Sequence, residues 1–122
     1  MTDGSTTGRT AAFDVIGVAA FAVVGRLSHD EGLTLGGWWH TAWPFLLALG
    51  LGWVGVRHVA SHWPLSLRSG VPTWLVTIVG GMALRAATDQ GTAAPFVVVA
   101  TVVLGGWILG HRAVRAALRR RA

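Results

Sequence analysis

Residues 44–56, PFLLALGLGWVGV, and residues 95–110, PFVVVATVVLGGWILG, carry no charged side chain and no polar stripe at helical spacing. A helix in a water-soluble bundle keeps one polar face, so segments that are apolar all round belong in lipid. Four such stretches lie along the chain, at about 11–27, 42–59, 71–87 and 92–110. Each has ~17–19 residues, near the lower limit for crossing a bilayer as a helix. Composition agrees, with 52% hydrophobic and only 12% charged residues among 122, about half the charge of a typical globular chain. The expected fold is all-α: an integral membrane four-helix bundle forming one domain over 1–122, with an N-terminal tail 1–10 and a basic C-terminal tail 111–122. Ala20 and Ala22 would suit signal-peptide cleavage, but Asp14 lies inside the apolar stretch and an internal repeat needs this first helix.

Arginine sets the orientation. The chain has ten arginines and no lysine against five acids, a net charge of +5. With the N-terminus cytoplasmic, Arg9, Arg57, Arg68, Arg112, Arg115, Arg119, Arg120 and Arg121 fall inside and only Arg26 and Arg85 outside. Both termini are therefore expected in the cytoplasm, in a multi-pass protein of the cell (inner) membrane. The basic tail follows directly on a membrane helix and lacks interleaved aromatics, so anionic lipid headgroups rather than nucleic acid are its expected partner.

The two halves share an ordered set of residues. Arg26, Asp30, Glu31, Gly32, then Thr41-Ala42-Trp43-Pro44-Phe45, then Gly52-Trp53 and Arg57, is matched by Arg85, Asp89, Gln90, Gly91, then Thr92-Ala93-Ala94-Pro95-Phe96, then Gly106-Trp107 and Arg112. The first half has an eight-residue insertion, Leu33 to His40. Two spans per unit preserve direction, so the halves are expected to be parallel tandem repeats about a pseudo-twofold axis along the membrane normal. Thr41 and Thr92 suit helix N-caps, Pro44 and Pro95 the first turn, and Arg26 and Arg85 the ends of the preceding helices. The glycine after each acid suggests that the helix has already ended, which leaves cross-repeat pairing of Arg26 with Asp89 and Arg85 with Asp30 open.

The stretches DV…FAVVGRLSHDEG, TAWPFLLALGLGW and GMALR…GTAAPFVVVATVVLG strongly resemble a family of small prokaryotic membrane proteins with no assigned role, the domain of unknown function 3054. The resemblance runs from Asp14 to about Arg112. It implies a membrane bundle and supplies no substrate, cofactor or catalytic residue.

Two regions attract chemical attention. At the outer rim Arg26, Asp30, Arg85, Asp89 and His29 should converge beside two helix N-termini, a setting that favours an anion, although helix-end arginines commonly pair with loop acids for structural reasons. Asp14, a carboxylate inside an apolar span, needs a partner. Arg26 is ~18 Å further along the same helix, so Arg57, Arg68 or Arg112 is expected to serve, as a structural ion pair near the inner boundary or, less readily, as part of a proton or cation site.

Other chemistry is not expected. His58 and His62 have metal spacing but no third ligand nearby, and all five histidines lie near span ends, which argues against haem. Without cysteine, lysine, GxSxG, HExxH or a Walker loop, no enzyme, cofactor or metal is expected. Trp38, Trp39, Trp43, Trp53, Trp63, Trp74 and Trp107 read mainly as an interfacial belt, and Gly50, Gly52, Gly80, Gly81, Gly105 and Gly106 as close helix contacts. The leading functional reading is a small transporter or channel for a small solute, an anion being the candidate that the outer arginines suggest. The alternative is an accessory or assembly subunit of a larger membrane complex. Either reading implies a homo-oligomer or a membrane-complex partner. Transport needs a polar path and the alternative a dry bundle; with few polar residues at mid-depth besides Thr77 and Thr101, a path would form between protomers.

Overall fold

Helices account for most of the structure, a computed structural model that describes residues 4–28 and 32–121. They are α1 (Gly4–Ser28), α2 (Leu35–Ala60), α3 (Leu67–Ala87) and α4 (Ala94–Arg121). All four are long and apolar enough to cross a membrane, which makes the chain a multi-pass membrane protein. α1 begins within the expected N-terminal tail, and α4 continues through the basic segment to Arg121. That extension has a local cause, because residues 112–121 contain neither glycine nor proline and consist largely of alanine, leucine and arginine, all good helix formers. The closing arginines also offset the carbonyl end of the helix dipole.

The helix starts differ from expectation. α2 begins well before Thr41: its N-cap is Thr34, whose hydroxyl accepts from Gly37 N–H at 3.0 Å. The apparent insertion is therefore mostly the first part of this helix. Thr41 is buried, and Pro44 lies in the helix interior, where it withholds the N–H that His40 C=O would have accepted. In α4 the Ala93 carbonyl accepts Val97 N–H at 3.0 Å, so the cap is Ala93 rather than Thr92, while Pro95 does occupy the first turn. α3 opens on a capping box in which Ser66 and Ser69 bond reciprocally. Its other end is a Schellman turn: Gln90 N–H reaches Arg85 C=O at 2.8 Å, Asp89 N–H reaches Ala86 C=O at 3.4 Å, and Asp89 takes the left-handed position at φ 56°. Aspartate thus fills the place often held by glycine, and neither Gly32 nor Gly91 has a positive φ.

The helices form a ring. α1 packs on α2 and α4, α3 packs on the same two, and the backbones of the diagonal pairs stand apart, so that those helices meet only through side chains in the centre, such as Phe45 and Phe96. Val18 and Phe21, Phe45, Leu49 and Trp53, Ile78, and Ala100, Leu104 and Ile108 fill the centre from the four helices in turn. Glycines set the close approaches. A Cβ on Gly81 would collide with the Phe45 ring and one on Gly105 would come 2.8 Å from the Trp74 indole, whereas Gly50 and Gly106, expected at helix contacts, face open space. Valine and leucine cover the outside, including Leu47, Leu51, Val54, Val79, Val98 and Val102.

Four indoles staple the bundle internally. Trp38 donates to Ala19 C=O, Trp74 to Thr101 C=O, Trp107 to Phe13 C=O and Trp53 to the Asp14 carboxylate. In two cases the indole lies over the glycine one turn on: Trp74 over Gly105 and Trp107 over Gly17. Only there does a missing Cβ let the ring reach a carbonyl already used by the helix. The belt reading missed this role.

Candidate functional site

The start of α1, the end of α4 and the α2–α3 connection lie at one end of the ring, which gathers eight of the ten arginines; Arg26 and Arg85 lie at the opposite end. At the basic end Asp14, on α1, is fully buried. Arg112, on α4 and also buried, grips it with both guanidinium arms: Nη1 to Oδ1 at 2.7 Å and Nη2 to Oδ2 at 2.8 Å. Trp53 Nε1 donates to Oδ2 at 2.9 Å, and His111 Nε2 lies 2.7 Å from Oδ1. These contacts fill the four acceptor positions that a carboxylate offers.

Arg112 is equally occupied. Its Nε and Nη2 donate to Pro64 C=O at 3.1 and 2.7 Å, and its Nη1 also donates to Ile108 C=O at 2.8 Å. One ion pair therefore joins α1, α2, the α2–α3 connection and α4. Gly70 makes room for it, since a Cβ there would stand 2.7 Å from the Arg112 side chain. One turn on, Arg115 extends the same arrangement by donating to Thr10 Oγ1 at 2.7 Å and to Leu65 C=O. Phe13 stacks on His111 with ring centroids 5.3 Å apart.

Of the three partners that sequence allowed for Asp14, the structure brings Arg112 to it. Arg57 instead lies over the Trp63 ring, 5.7 Å from its centroid. His111 was not anticipated as a member of the centre. Its only sequence signal is adjacency to Arg112, and neighbouring residues on a helix diverge by about 100°.

At the opposite end Arg26 and Arg85 behave alike. Arg26 Nε donates to Gly32 C=O at 3.0 Å and Arg85 Nε to Gly91 C=O at 2.8 Å, six residues on in each case. Arg26 Nη1 reaches Thr41 Oγ1 at 3.3 Å and Arg85 Nη1 reaches Gln90 Oε1 at 3.1 Å. The Arg85 guanidinium lies over Phe96, 4.2 Å from the ring centroid, and Phe96 packs with Phe21 and Phe45 beneath. Asp89 is exposed and joins no ion pair among the described residues; those ion pairs all involve Asp14. His29, Asp30 and Glu31 lie outside the described residues.

Four apolar helices locked by a buried ion pair define a small polytopic membrane bundle. The chain belongs to a family described as a protein of unknown function (DUF3054), whose model matches residues 11–115. That stretch contains Asp14, Trp53, His111 and Arg112. No curated protein and no solved structure matches the chain.

Proposed function

We propose that this chain is an accessory or assembly subunit of a membrane complex, lying in the cell (inner) membrane with both termini cytoplasmic. The observation that carries the reading is a dry interior. Phe21, Phe45, Leu49, Leu104 and Ile108 fill the centre, and no buried side-chain polar atom among the described residues lacks a partner. Thr73 and Thr77 turn their hydroxyls back to Ser69 C=O and Thr73 C=O, at 3.0 and 2.7 Å, so they offer a solute no line of polar groups. The eight arginines at the end with the termini support the orientation. Two observations support parallel tandem repeats: α1 stands diagonal to α3 and α2 to α4, and the Arg-to-glycine bonds recur. Trp107 departs from that symmetry by bonding across to α1.

A second reading, transport of a small anion between protomers, is favoured by the matched settings of Arg26 and Arg85. In that reading these two, with Asp30, Asp89 and His29, form an outer anion site. Proteoliposomes loaded with chloride or phosphate separate the two. The accessory reading predicts efflux equal to that of empty vesicles. Efflux abolished by Arg26→Gln and by Arg85→Gln in folded protein would overturn it and establish the second.

A further inference from the structure

Between α1 and the last turns of α4 a cavity of about 290 Å³ is lined by Thr6, Arg9, Phe13, Arg115 and Arg119. A second, of about 240 Å³, shares Thr6, Arg115 and Arg119 and continues past Arg112 to Ser66 and Leu67 at the start of α3. Together they form a trough floored by α4. Thr6, Arg9 and Phe13 follow at helical spacing along one face of α1, and Arg115 and Arg119 are one turn apart on α4. We infer that this trough binds a phosphate group carried on an apolar tail, as in an anionic phospholipid.

Charge is the first argument. Asp14 is the only carboxylate at this end among the described residues, and Arg112 takes both its oxygens. Arg9, Arg115 and Arg119 therefore line one space with no direct ion pair to that carboxylate; Asp14 acts on Arg115 only at a distance and more weakly than Arg119 and Arg112 do, so the cluster keeps a mutual repulsion that a bound anion would offset. The second argument is preorganisation. Arg115 is already pinned by Thr10 and Leu65, so a ligand would not have to order it. Guanidinium groups, the Thr6 hydroxyl and the N-terminus of α3 suit phosphate oxygens. Finally, Phe13 is half-exposed and opens onto the apolar outer surface, where an acyl chain would leave the trough.

The test uses full-length protein in a neutral detergent, titrated with short-chain phosphatidic acid, short-chain phosphatidylcholine and inorganic phosphate, and read by native mass spectrometry. Phosphatidic acid is expected to bind and phosphatidylcholine not. An Arg9→Gln/Arg119→Gln double variant should weaken binding by about tenfold or more, the scale of one or two lost charge-assisted bonds. Arg120→Gln/Arg121→Gln removes equal charge outside the trough and should leave binding unchanged, and Arg9→Lys/Arg119→Lys should restore part of it. Tighter binding of phosphatidic acid than of inorganic phosphate assigns a lipid headgroup; equal binding assigns free phosphate and keeps the site. Equal weakening by the two glutamine pairs, or no binding of either phosphate probe, would overturn the inference. The lipid arm rests on the membrane reading, which resistance to alkaline carbonate extraction tests separately.

Discussion

Changing Asp14 to Asn keeps the shape of the side chain and removes its charge, leaving the Arg112 guanidinium with the Pro64 and Ile108 carbonyls, one amide oxygen and the His111 ring nitrogen, none of them an anion. Arg112 is 1% exposed and cannot turn to water without unpacking α4 from the α2–α3 connection. Breaking a buried pair by neutralising one member costs about 3–5 kcal/mol, roughly two to four orders of magnitude in the folding equilibrium. Replacing both members with apolar residues, Asp14→Leu/Arg112→Met, removes the orphaned charge and should recover part of that loss, and most of it only where water reaches the groups left behind. What remains is the unmet need of Pro64 C=O and Trp53 N–H, about 1–3 kcal/mol each if no water reaches them. The assay is reversible unfolding by dodecyl sulfate in mixed micelles, followed through tryptophan fluorescence for wild type, both single variants and the double. Asp14→Asn within about 1 kcal/mol of wild type, the range of an exposed surface pair, would refute the reasoning. So would a double variant no more stable than Arg112→Met alone.

Gly81→Ala should destabilise by about 1–3 kcal/mol in the same assay because Phe45 occupies the place of the new methyl group, whereas Gly50→Ala and Gly106→Ala, which face open space, should be neutral or slightly stabilising. Trp74→Phe removes the indole bond to Thr101 C=O at 3.0 Å and should cost about 0.5–1.5 kcal/mol plus lost contact area, with amide exchange of α4 around Gly105 rising first. Single cysteines at His62 and Gly36, both exposed and at opposite ends, should react with a membrane-impermeant maleimide from opposite sides of a sealed vesicle; same-side labelling would contradict the four-span map.

The four helices were legible because uninterrupted apolar runs need no tertiary information to be read. The start of α2 was not. Gly36, Gly37 and Pro44 look like breakers in isolation, yet Trp38 bonds to α1 and Gly37 accommodates Arg26, so packing overrides propensity there. Asp14 announced its need for a cation, and charge logic reduced the choice to three arginines. Selecting Arg112 required the Pro64 carbonyl and the gap left by Gly70, which depend on how the α2–α3 connection folds over the end of the ring. The internal staples escaped notice for a related reason. An indole near a helix end looks the same in sequence whether its N–H meets a headgroup or a neighbouring carbonyl.

The Asp14–Arg112 bond spans 98 positions of the chain, and that separation fixes an order of events during synthesis. The carboxylate emerges from the ribosome with the first helix, while its guanidinium partner arrives only after two more helices and much of the fourth have been made. Until then α1 holds an acid in a hydrophobic segment with no cation to meet it, and that helix can settle fully only when α4 arrives. The Pro64 carbonyl waits likewise, so the connection between the halves and the first helix are secured in one late step. A nascent chain that ends before Arg112 therefore leaves Asp14 on α1 without the cation that locks the finished bundle.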